Sequence, residues 1–146
     1  MEAIAIFIII QAAMIATALW ESRIEGKHIG ATEQTGWTID ILGTKFTEYH
    51  FWLWGVAYPL LIAIPLAINF SWHLLAVLAS SYLIGLVFED FMWFALNPYF
   101  SLKKFNSKNV KWYAWLKIGK FEIPFFYPIY IILAILITLV FMILTR

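Results

Sequence analysis

The sequence predicts an all-α, polytopic integral membrane protein. It reads as one domain, residues 1–146, folded as a four-helix bundle with both termini outside and room for a short β-hairpin or flap in its first cytoplasmic loop. Three observations carry this expectation. The chain is 63% hydrophobic and 13% charged, against about 45–50% and about 25% in soluble domains. Residues 3–20, 50–69, 72–96 and 123–145 are apolar runs long enough to cross a ~30 Å hydrocarbon layer at ~1.5 Å per residue. The loops between them, 21–49 and 97–122, hold three and six Lys or Arg, which the positive-inside rule assigns to the cytoplasm of a cell membrane.

The first run, 3–20, is broken by Gln11 and Thr17, polar groups that helices in lipid turn toward one another. Ala16-Thr17-Ala18 mimics a signal-peptide cleavage site, but Met1-Glu2 lacks the basic start of such a peptide, so the run is read as a span. In the loop that follows, Trp37-Thr38-Ile39-Asp40-Ile41 alternates apolar with polar before Leu42-Gly43-Thr44, the pattern of a hairpin. The second run carries Gly55, Pro59 and Pro65. Each proline removes a helix hydrogen bond and frees the carbonyl four residues back, those of Gly55 and Leu61.

Asn69-Phe70-Ser71 leaves space only for a tight turn, so the second and third helices are antiparallel neighbours. Residues whose numbers sum to about 141 then lie level, which sets His50 beside Phe91 and Asp90. The third run ends at Asn97-Pro98, because the residue before proline is pushed out of the helical region. In 97–122, six lysines interleave with Trp112, Tyr113 and Trp115, the composition of a segment lying on lipid headgroups. The fourth run has Pro124 and Pro128 in its first turns, where proline is tolerated.

Function is sought where an ionisable group sits at membrane depth, because each costs about 2.5–3.5 kcal/mol there unless it meets a cavity, partner or ligand. Glu89 and Asp90 are such a pair. On a helix they point about 100° apart; Glu89 shares a face with Tyr82, Gly85 and Trp93, and Asp90 shares one with Phe94 and Asn97. With Glu48 and His50 at the start of the second helix, the candidate binding residues are Glu89, Asp90, His50, Tyr82, Trp93, Asn97 and Glu48. The chain contains no cysteine, so a divalent metal has only His, Asp and Glu to hold it, with Glu89, Asp90 and His50 as the set to test. Glu25-x-x-His28 matches half of a carboxylate-bridged di-metal pattern. His73, beside Trp72 at the other face, is read as interfacial.

Two functions follow. One is binding or transport of a cation, proton or small molecule at a carboxylate site open to the cytoplasm. The other is a membrane-embedded enzyme, metal-dependent or not, acting on a lipid or isoprenoid. Lipids are expected partners and a homo-oligomer stays open. Nucleic acid is excluded, since the net charge is +1 and no basic stripe exists.

Glu89-Asp90-Phe91-x-Trp93-Phe94-x-x-Asn97-Pro98, following Tyr49-His50-Phe51-Trp52, resembles a pattern in small uncharacterised prokaryotic four-helix membrane proteins. The resemblance implies that fold and no activity. In size and helix number the chain is also similar to small multidrug transporters and to membrane-bound eicosanoid and glutathione enzymes. It departs from both: its membrane-depth carboxylates are not in the first helix, and no Glu-Arg pair starts a span.

Overall fold

The computed structural model describes residues 2–26 and 36–144. Lys27, His28 and Arg146 lie outside the described residues, and with them the second half of the Glu25-x-x-His28 motif. Four helices are long and apolar enough to cross a membrane: α1 (Glu2–Glu25), α2 (Glu48–Ile68), α3 (Trp72–Leu96) and α4 (Phe126–Leu144). Two antiparallel hairpins join them at one end, β1 (Thr38–Ile41) with β2 (Thr44–Thr47), and β3 (Trp115–Ile118) with β4 (Phe121–Pro124).

α3 is central, packed between α1 and α4, with α2 leaning against it. Ser71 starts it by accepting the Leu74 N–H at 3.1 Å, and Asn97 stops it. The α1–α3 seam follows from small residues at helical spacing. Ser81 and Gly85 let the backbones approach, and Met14, fully buried, fills the space so closely that a Cβ on Gly85 would stand 2.8 Å from its Cγ. Gln11 crosses the seam to donate to the Ser81 carbonyl at 2.9 Å. Outward faces are apolar throughout: Ile4, Leu60, Ile68 and Ile143 are among many large side chains left exposed.

α2 departs from regular geometry where the sequence places its first proline. Phe51–Ala57 is wound as a π-helix, with the Tyr58 N–H reaching back to the Leu53 carbonyl. In that five-residue register the next pair would be Trp54 with residue 59, which is proline and has no N–H. The Trp54 oxygen is therefore freed, and the Tyr82 hydroxyl of α3 donates to it.

The first hairpin stands where the alternation predicts it. Leu42 and Gly43, at φ 53° and 79°, make its two-residue turn, both positive as a type I′ turn requires. The second hairpin is unforeseen and corrects three expectations. The fold is not purely α-helical outside the first loop; the fourth helix begins at Phe126, not 123; and Pro124 closes β4, buried. The physical reason is the Gly119-Lys120 turn, with Gly119 at φ +60°, between two alternating segments. α1 also runs five residues past residue 20, and α2 begins at Glu48.

The two hairpins meet each other. The Lys45 N–H donates to the Trp112 carbonyl at 2.9 Å and the Ala114 N–H to Thr44 Oγ1 at 3.2 Å. Together with the segment between α3 and β3 they cap the bundle. The aromatic residues expected on a headgroup surface are half-buried: Trp112, Tyr113 and Trp115 pack on a cluster that includes Trp93, Phe94, Phe100 and Val110. The six lysines of this segment remain exposed.

Candidate functional site

Beneath that cap lies a cavity of about 270 Å³. Four carboxylates line it, Glu21 and Glu25 from the end of α1 and Glu89 and Asp90 from α3. Its walls are largely aromatic, with Phe51 and Trp54 from α2, Trp93 from α3, Trp112 from the cap and Phe126 from α4.

The two α3 carboxylates diverge as a helix demands. Asp90 turns toward α4 and the cap, where Tyr127 donates to Oδ2 at 2.5 Å and Tyr113 donates to Oδ1. Tyr113 is itself held by ring contacts with Phe94, Trp115 and Phe126. Burial first, then the Asp90 charge, pushes the Tyr113 phenol well above its ordinary value, so it remains a proton donor to Asp90 at any ordinary pH. Glu89 turns toward α1. It is only 6% exposed, its carboxyl group lies within hydrogen-bonding reach of Glu21, and its Oε1 has no hydrogen-bond partner. Glu21, equally buried, accepts a bond from the Tyr49 hydroxyl. Two carboxyl groups in contact can share a single proton or face a common cation.

Of the residues singled out by sequence, Glu89, Asp90, His50 and Trp93 line this cavity together, as the tight turn between α2 and α3 predicts for His50. The His50 ring bonds locally, Nδ1 lying 2.6 Å from Thr47 Oγ1. Tyr82, Asn97 and Glu48 do not line it. Tyr82 is taken by the Trp54 carbonyl. Asn97 turns the chain out of α3, its Oδ1 accepting the Tyr99 N–H at 2.8 Å. Glu48 opens α2 and accepts from the Trp37 N–H and the Trp52 indole, each at 3.4 Å.

Among the described residues no three His, Asp or Glu side chains are grouped so as to hold a metal ion. Asp90 gives both oxygens to tyrosines, and His50 is committed to Thr47, so Glu89, Asp90 and His50 share a cavity without converging on one point. Sequence reasoning sets Glu21 on one helix face with Glu25 and His28 but leaves it out of the candidate site, and it passes over Tyr113 and Tyr127. For Glu21 a signal exists: Gln11, Met14, Ala18, Glu21 and Glu25 recur at intervals of three and four, one helix face running into the acidic end. No protein-family model matches the chain, and neither a curated protein nor a solved structure matches it.

Proposed function

We propose that this chain is a multi-pass cell-membrane protein that binds a cation, proton or small cationic molecule at the Glu21–Glu89 end of the cavity and carries it across the bilayer. The observation that supports this reading is that Glu21, Glu25, Glu89 and Asp90 all line one aromatic-walled cavity. Carboxylates at such depth mark ion and proton pathways. The nine Lys and Arg of residues 21–49 and 97–122, against Arg146 alone in the rest of the sequence, favour an orientation with both hairpins, and the cavity, on the cytoplasmic side.

Flux tests the reading. The protein is reconstituted in liposomes holding a pH-sensitive dye, and an outward gradient of a monovalent cation is imposed. The wild type exchanges cation for protons, and Glu89→Gln reduces the rate at least tenfold. Equal flux in the two proteins, above that of empty liposomes, would remove Glu89 from the pathway.

A further inference from the structure

Resting on that cation-site reading, we infer that the cavity takes an organic cation, an ammonium group on an apolar body, and not a bare metal ion. Size is the first ground. The void of about 270 Å³ compares with about 30 Å³ for a water molecule and approaches the ~300 Å³ at which small-molecule pockets begin. A metal ion would rattle in it. Calcium needs 6–8 oxygen ligands at about 2.3–2.6 Å, and magnesium a near-ideal octahedron, whereas both Asp90 oxygens and one of Glu21 already accept tyrosine hydroxyls.

The walls are the second ground. Trp54, Trp93 and Trp112 all line the cavity, and indole is the best of the aromatic partners for a desolvated cation. An alkylated ammonium sheds its water far more readily than a small metal ion and presents the apolar surface these rings match. The third ground is Glu89. It lines the cavity at 6% exposure, and its Oε1 is unpartnered. Carboxylates at such depth face a cavity or a partner, and here Glu89 stands in the cavity wall. Lys45, which also lines the cavity, is exposed on β2 and stands opposite Asp40 in the β1–β2 register.

The test uses the full chain in detergent and its tryptophan fluorescence. Benzyltrimethylammonium, its uncharged carbon isostere neopentylbenzene, and the chlorides of Na⁺, Mg²⁺ and Ca²⁺ are titrated in turn. The ammonium should give a saturable change that weakens at least tenfold in Glu89→Gln and several-fold in Trp54→Leu, a variant on the least buried helix. Neopentylbenzene and the metals should give no Glu89-dependent change. Binding of the neutral isostere as tight as that of the ammonium would overturn the inference. A Glu89-dependent signal from Mg²⁺ or Ca²⁺ alone would overturn it too, while leaving the cation-site reading in place. No Glu89-dependent signal from any probe, with both variants folded by circular dichroism, would overturn the inference and leave the site to a proton alone.

Discussion

Tyr127 of α4 donates to Asp90 of α3 at 2.5 Å, and Tyr113 of the cap donates to the other oxygen of the same carboxylate. Asp90 thus ties the cap and the fourth helix to the central one, while Glu89, one residue earlier, faces α1. Asp90→Ala leaves two phenol hydroxyls without an acceptor, at about 1–3 kcal/mol each. The variant is expected to unfold several degrees earlier in detergent, with the cap more open to protease than in the wild type. An unchanged melting temperature would show that the clamp contributes nothing.

The α1–α3 seam should be as sensitive as a soluble core. Gly85→Ala drives a methyl to 2.8 Å from Met14 Cγ and 3.5 Å from Ile10 Cγ2, an overpacking worth about 1–3 kcal/mol. Combining it with Met14→Ala should recover part of the loss that each change causes alone. Strict additivity in a double-mutant cycle would mean that the two residues do not meet.

Glu122 offers a pH test outside the spans. Its carboxylate accepts the Ser107 N–H at 2.7 Å and the Ser107 hydroxyl at 3.1 Å, and lies 3.3 Å from Lys117 Nζ. These contacts, the backbone bond first, hold it below the usual carboxylate range. A depressed folded-state value stabilises the fold above the unfolded value, near 4.3, and that gain is lost as pH falls through the folded value. Glu122→Gln should therefore be less stable than wild type at pH 7, with the gap closing below about pH 4. A gap that does not narrow at all as pH falls from 7 to the acid limit of folding would assign the effect to something other than this charge.

Topology is open to direct labelling, because the chain has no cysteine of its own. In intact cells, Lys108→Cys should be protected from an impermeant thiol reagent and Arg146→Cys should react. Labelling of position 108 from outside would reverse the orientation and place the cavity on the other face.

How much of this was legible in the sequence depends on the residue. The third helix was, end to end, because Ser71 and Asn97-Pro98 punctuate it by local backbone chemistry. So was the placement of His50 at the same end of the bundle as Glu89 and Asp90, whose cavity it lines, since a three-residue turn permits little slippage between antiparallel helices. The consequence of Pro59 was legible only in kind. Hydropathy does not distinguish α from π winding, and the change of register frees the Trp54 carbonyl. Glu21 was assigned to a loop because apolar residues stop near Trp20, although backbone hydrogen bonding continues to Glu25. Trp115 to Pro124 alternates around Gly119-Lys120 as a hairpin should, but six lysines mask the pattern. The partners of Asp90 lie 23 and 37 residues away in sequence and are brought in by tertiary docking.

The central claim is that Glu89 is kept buried for a ligand and not for the fold. Thermal unfolding and cation binding of Glu89→Gln, measured together on the purified protein, test it most directly. An amide of the same shape removes a buried carboxyl group that stands against Glu21 and whose Oε1 has no hydrogen-bond partner among the described residues. The account predicts a variant at least as stable as wild type whose affinity for benzyltrimethylammonium falls at least tenfold; a destabilised variant with unchanged affinity would contradict it.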